Sequence, residues 1–260
     1  MKKLLMTLLL VVCGNVYANY PTSFSNAKTK AEKEVYFDRS TTFYCQCDFV
    51  FDDIKDVDSD GNITETKIDP KACGYEPRNP VTKKGKENKR VSRIEWEHIM
   101  PANIIGGHLE QWENYKNHEE CKDKKYKTRK CAYHLVPEFK RAHDDMNNLV
   151  PAVGELNGDR SNFRFANIEG ENRAYGKCDF EIDFEADTAE PADNVKGNIG
   201  RVYLHMMKEH KVSLPEETVK MMKEWSDLDP VDAWECERND RIKKSQGLGN
   251  SFVEAACEKR

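Results

Sequence analysis

Past its first eighteen residues the chain has no apolar run that approaches a bilayer span, which takes about 20 residues. Glycine and proline are sparse, 14 and 10 of 260 residues, and follow no period, so a collagen-like fibre is excluded. Coiled-coil composition, internal repeats and low-complexity linkers are absent as well. No two cysteines stand at C-x-x-C spacing, which argues against a structural zinc site of that kind. There is no basic excess either: 41 Lys and Arg face 46 Asp and Glu, a formal charge of −5. What is present is a globular composition, with 38% hydrophobic and 10% aromatic residues spread too evenly for a disordered protein. That length can bury a sizeable core, and without a linker the simplest organisation is one domain.

The N-terminus reads as an export signal. Lys2 and Lys3 form a basic start, Leu4 to Cys13 an apolar core, and Val16-Tyr17-Ala18 offers small residues for cleavage after Ala18. A lipoprotein signal at Cys13 is the alternative, weakened by the bulky Val12. Cleavage leaves residues 19–260 with 39 basic and 46 acidic side chains, a charge of −7. It also leaves eight cysteines: Cys45, Cys47, Cys73, Cys121, Cys131, Cys178, Cys236 and Cys257. An even set behind an export signal predicts disulfides, with buried free thiols as the alternative. Cys45 and Cys47, on one face of an expected strand over 43–51, should each pair elsewhere, and the connectivity stays open.

Asp58-Ser59-Asp60-Gly61-Asn62 loosely resembles a calcium loop, but it lacks the terminal Glu and is expected to be a solvated turn. Two basic runs follow, Lys83 to Arg93 and Lys122 to Lys130, while acids gather over Asp179 to Asp193. Charge segregated in this way can present one face to a polyanion despite the net negative charge. In the last third, Ile199, Val202, Tyr203, Met206, Met207 and His210 repeat on one helix face. Ser213-Leu214-Pro215-Glu216 looks like a capping box opening the next helix, with Val219, Met222 and Trp225 inward.

The potential chemistry lies between and just after the basic runs. Ile94 to Met100 alternates as a strand ended by Pro101; Leu149-Val150 is a second short strand ended by Pro151; Gly154 onward suits a helix. Hydrolysing a phosphodiester needs a base for water, a cation to offset growing charge and a group to hold phosphate. Neutral His98 suits the first task, the hard oxygens of Glu97 and Asn157 the second, and Arg129 the third. Adjacent Glu97 and His98 point to opposite faces of a regular strand, so a shared site asks for a twist or bulge there.

Together these stretches closely resemble the bacterial endonuclease I family of secreted, sugar-nonspecific nucleases. The matching pieces are 43–47, 73–78, 93–98, 148–152, 154–165, 230–236 and 241–242, nearly the whole mature chain. The resemblance implies a disulfide-stapled, helix-rich mixed α/β (α+β) domain around a ββα-metal nuclease motif. It implies a monomeric enzyme that cuts DNA and RNA to 5′-phosphate ends with Mg²⁺, for which Mn²⁺ or Ca²⁺ can substitute. Carried over by motif, His98 is the general base, Glu97 and Asn157 are metal ligands and Arg129 is the phosphate-holding arginine. Arg93, Arg160, Arg164 and Lys127 are the expected nucleic-acid contacts, with Arg160 and Arg164 alternatively paired to carboxylates. The chain departs from the family's usual pattern at Gln46 and Asn147 and in a long loop over 108–140. The resemblance also implies a periplasmic or secreted location.

The other histidines are expected to be structural, His143 being the one placed to approach the site; Asp144 and Asp145 are expected to be solvated acids. Activity is expected to fall below roughly pH 6 as His98 protonates. Two rival classes remain: a disulfide-stapled module that binds anionic polymers without cutting them, and a metal-dependent hydrolase of small phosphoesters. Neither makes use of His98, Glu97, Asn157 and both basic runs together.

Overall fold

The computed structural model describes residues 19–51, 66–170 and 172–259; the expected export signal and the turn expected over 58–62 lie outside them. Its centre is an open antiparallel hairpin whose two strands are joined by residues 99–148 rather than by a tight turn. Counting in chain order, α1 is Phe24–Lys30, β1 Phe49–Val50, β2 Lys67–Ile68 and α2 Pro70–Cys73. The first hairpin strand, β3, is Ile94–His98. Short helices α3 (Ala102–Gly106), α4 (Glu110–Glu113), α5 (Glu119–Asp123), α6 (Thr128–Leu135) and α7 (Pro137–His143) follow. The second strand, β4, is Leu149–Val153, and α8, Gly154–Arg160, starts at its end. A small sheet in the order β5-β7-β6 comes next, with β5 Arg164–Phe165, β6 Phe180–Asp183 and β7 Thr188–Pro191. Helices α9 (Asp193–His210), α10 (Glu216–Leu228), α11 (Ala233–Gln246) and α12 (Ser251–Cys257) close the fold. The fold is mixed helix and sheet with one continuous main core, as expected.

β3 and β4 pair from Ile94↔Val153 to His98↔Leu149. β4 runs on through Pro151 rather than stopping there. Both strands are edges of a two-stranded sheet, and Phe43 N donates to Pro151 O at 2.8 Å on the outer side. The backbone of Pro151 therefore faces away from β3, where a missing N–H costs no ladder bond. α8 can begin directly at the strand end because residue 154 is glycine. A Cβ there would stand 2.9 Å from the carbonyl oxygen of Arg90.

Four disulfides use all eight cysteines among the described residues: Cys45–Cys178, Cys47–Cys73, Cys121–Cys131 and Cys236–Cys257. Cys45 and Cys47 do pair elsewhere, though not from a strand. Thr42 and Cys47 close a tight turn, with Gln46 in the left-handed region at φ 54°. The expected strand over 43–51 shrinks to β1. The stretch 108–140 is likewise no loop but the run α4–α7, tied down by Cys121–Cys131 and by Trp112 packing on Phe139. Ser213 does not cap α10: the helix starts at Glu216 with Pro215 at its N-cap. A cap at Ser213 would need Leu214 helical, and the residue before a proline is disfavoured there. Among the described residues no helix is long and apolar enough to cross a membrane.

Candidate active site

One open cleft of about 560 Å³ lies where the hairpin, α8, the start of α6 and α1 meet. His98, Asn157 and Arg129 all line it, so three of the four expected catalytic and metal residues converge. Both basic runs reach it too, through Arg90 and Arg129, while Lys83, Lys84, Lys86, Lys127 and Lys130 stand exposed.

His98 is held on two sides. Its Nε2 lies 2.7 Å from the carbonyl oxygen of His143, and a carbonyl can only accept, so Nε2 carries the hydrogen. The lone pair of the neutral ring is therefore on Nδ1. Phe24 stacks on the ring at 5.0 Å between centroids, and the His143 ring lies 4.4 Å away. Burial pushes the His98 pKa well below 6.5, and the neighbouring His143 and Arg129 push the same way; the bond to the His143 carbonyl only partly opposes them. His98 is thus a neutral base at neutral pH.

Asn157 projects from α8 and donates its Nδ2 to Glu95 Oε2 at 2.9 Å. That bond turns the carbonyl oxygen Oδ1 away from Glu95 and leaves it available to a cation. Glu95 is itself fixed by Arg90, at 2.9 Å from Nε and 2.5 Å from Nη2, and by Arg93 Nη2 at 3.1 Å. Arg93, expected as a nucleic-acid contact, is therefore engaged by Glu95.

Glu97 is buried behind the cleft wall. β3 keeps a continuous register with β4, with no bulge, so Glu97 and His98 do point to opposite faces. Glu97 Oε1 accepts from Tyr44 Oη at 3.0 Å and Arg160 Nη1 at 2.8 Å. Its other oxygen, Oε2, is buried with no partner. Burial raises the Glu97 pKa against the lowering effect of Arg160 and Tyr44. On the face of β3 that meets α8, where Glu95 holds Asn157 and Glu97 holds Arg160, this carboxylate oxygen with no donor fits a ligand set that a divalent cation completes, whereas His98 points to the other face.

Of the two expectations for Arg160, contact with phosphate and pairing with a carboxylate, the structure has the second. Arg160 is 1% exposed, and besides Glu97 its guanidinium donates to the carbonyl oxygens of His98 at 2.8 Å and Ile99 at 2.6 Å. Every one of these bonds ties α8 to the end of β3. Arg164 is exposed, in a neighbouring depression that shares Asn162 with the cleft, and Lys127 is exposed just before Arg129.

Asp144 and Asp145 are not solvated; both are fully buried. Asp144 accepts from Tyr133 Oη at 2.7 Å and lies 3.0 Å from His143 Nδ1, which fixes the residue whose carbonyl holds His98. Asp145 gathers His205 and His210 into a group able to hold a metal ion, and none of the three lines the cleft. Glu95, Phe24 and the His143 carbonyl were not assigned from sequence. The i, i+2 relation of Glu95 to Glu97 was a signal for the first; Phe24 stands 74 residues from His98 and left none.

A hairpin leading straight into a helix, with histidine on the strand and asparagine on the helix facing one cleft, is the ββα arrangement of nucleases. A sequence profile of the endonuclease I family matches residues 22–257. An extracellular deoxyribonuclease of Aeromonas hydrophila is 36% identical over 254 residues, 97% of each chain. A periplasmic deoxyribonuclease of the same organism is 35% identical over 252 residues, 96% of this chain and 93% of the relative. Endonuclease-1 of Buchnera aphidicola is 34% identical over 219 residues, 84% of this chain and 76% of the relative. The chain belongs to the endonuclease I family, and it is a nuclease, a phosphodiester hydrolase.

Proposed function

We propose that this chain is an exported, monomeric, Mg²⁺-dependent endonuclease that cuts DNA and RNA without regard to sugar, leaving 5′-phosphate ends. The observation that carries this reading is the tautomer-fixed imidazole of His98 sharing a cleft with Asn157 and Arg129. Nδ1 of His98 takes a proton from the water that attacks phosphorus, and the P–O3′ bond breaks. The His143 carbonyl keeps the ring in the needed tautomer and steadies the imidazolium as it forms. Glu97 through Oε2 and Asn157 through Oδ1 are the groups that would hold Mg²⁺ (or Mn²⁺ or Ca²⁺), which offsets charge on the phosphate and the leaving oxygen. Arg129 holds a phosphate oxygen, and Lys127 and Arg164 extend the contact along the backbone. Because the base acts on water and the cations on phosphate, no 2′-hydroxyl is required, which supports action on both nucleic acids. Four disulfides and the extracellular and periplasmic relatives support export, with cleavage near Ala18.

The test is cleavage of supercoiled plasmid and of a long RNA, with Mg²⁺ and with chelator. Loss of both activities in chelator, their return with Mg²⁺ and ligatable 5′-phosphate ends are expected; intact plasmid with hydrolysis of a small phosphomonoester would replace this reading.

A pH profile follows from the His98 environment. A base works when unprotonated, and a pKa below 6.5 keeps it so in mildly acidic solution. The acid limb of log kcat/KM should therefore have its midpoint below 6.5, further below it than an exposed imidazole would give. A midpoint at or above 6.5 would remove His98 as the titrating base.

A further inference from the structure

We propose that Asp145, His205 and His210 form a second metal site, a structural one that takes a zinc ion. Three ligand atoms converge there. Nε2 of His205 lies 2.9 Å from Asp145 Oδ2 and Nε2 of His210 lies 2.7 Å from the same oxygen. The three atoms lie within 4.8 Å of one another. Asp145 and His205 have side chains wholly removed from solvent, and that of His210 is 3% exposed. The donor set favours a transition metal over Mg²⁺, which takes oxygen ligands, and two imidazole nitrogens with one carboxylate are a set that zinc accepts.

The carboxylate of Asp145 is oriented from outside as a metal ligand is, while the other ring nitrogen of His205, Nδ1, is buried without a partner. The other oxygen of Asp145, Oδ1, accepts from Asn147 N and Nδ2 at 2.9 Å each and from Gln246 Nε2 at 2.8 Å. Three donors on one oxygen orient the carboxylate and leave Oδ2 to the two histidines, as outer-shell partners orient a ligand. His205 and His210 stand in the last two turns of α9, an 18-residue helix whose C-terminal end carries negative partial charge and favours a cation. Zinc bonds of about 2.0–2.1 Å at tetrahedral angles put donors roughly 3.3 Å apart. The two O···N distances therefore have to open by about half an ångström, within reach of small side-chain rotations, with water as a fourth ligand.

The site is separate from the cleft but mechanically connected to it. Asp145 caps the turn Met146–Asn148 that leads into β4, and it stands two residues after the carbonyl that holds His98. Zinc would fasten α9 to that turn.

The test uses the oxidised full-length mature protein, stripped with chelator and then given zinc chloride at equimolar and tenfold levels. Bound metal is measured after gel filtration, and thermal midpoints are compared with and without zinc. His205→Gln and His210→Gln are the informative variants, because a glutamine N–H can still bond to Asp145 while the imidazole ligand is lost. Wild type is expected to retain one zinc per chain in the presence of Mg²⁺ and to melt higher with it. Cobalt in place of zinc should give the visible absorption of a tetrahedral site. The glutamine variants should fold with the midpoint of stripped wild type, retain no zinc and show no shift. If stripped wild type stays folded and takes up no zinc, the cluster is a hydrogen-bonded strut and the proposal fails. If the glutamine variants hold zinc as wild type does, the metal is bound elsewhere and the proposal fails equally.

Discussion

Replacing His98 with alanine is expected to lower phosphodiester cleavage by about 10²–10⁴-fold, the usual contribution of a positioned general base. The fold should persist, because the ring lines an open cleft and its loss frees only one acceptor, the His143 carbonyl. With Glu97 and Asn157 as the proposed ligands, Mg²⁺ affinity should persist as well, since both keep their environments: Arg160 and Tyr44 hold the first and Glu95 the second. The informative comparison is therefore single-turnover cleavage at saturating Mg²⁺ beside plasmid binding at the same salt. Binding close to wild type with cleavage lost is the signature of a missing base. Cleavage within tenfold of wild type would show that another group activates the water, and His143 would be the first candidate by proximity. Its ring, however, is turned toward Asp144 through Nδ1 and is itself almost wholly buried, which suits a positioning residue better than a base.

The parts of this site that could be read in the sequence are those whose partners lie close along the chain or on one repeating face. Alternation of Ile94 and Trp96 with Glu95 and Glu97 marks a strand, and glycine at 154 marks where the following helix begins. His98 and Asn157 then face one cleft because β4 pairs with β3 and runs straight into α8. What escaped notice depends on distant segments. Phe24, the first residue of α1, stacks on His98 across 74 positions, and Asp145 meets histidines 60 and 65 positions away. Arg160 and Asp145 are hidden for a related reason: composition puts arginine and aspartate on the surface, while a buried partner of opposite charge overrides that tendency. Arg160 with Glu97 and Asp145 with its histidines both follow this rule. Local backbone chemistry explains the remaining misses, Pro215 shifting the start of α10 and the Thr42–Cys47 turn interrupting the expected first strand.

Arg160 carries the second large effect, and its direction separates a structural from a substrate-binding arginine. Arg160→Met is expected to destabilise the protein by about 3–5 kcal/mol, because it leaves the Glu97 carboxylate buried without its cation. The carbonyls of His98 and Ile99 lose a donor in the same step. For a domain of this size the thermal midpoint should fall by roughly 10 °C. A phosphate-contacting arginine would behave otherwise, weakening nucleic-acid binding and flattening its salt dependence by about one unit of slope while stability stayed near wild type. Arg164→Met, at an exposed position beside the cleft, is the control expected to show that second pattern. The pH dependence of the deficit adds an independent check. Burial already raises the Glu97 pKa, and removing Arg160 takes away the largest opposing influence, so the variant's folded state gains affinity for a proton. Protonation neutralises the uncompensated charge, so the stability gap between Arg160→Met and wild type should narrow as pH falls. The double variant Glu97→Gln/Arg160→Met should recover part of the loss at neutral pH for the same reason. A gap independent of pH, with no recovery in the double variant, would mean that the lost bonds to the two carbonyls outweigh the ion pair. Wild-type stability in Arg160→Met would overturn the buried placement of this arginine and return it to the nucleic-acid surface.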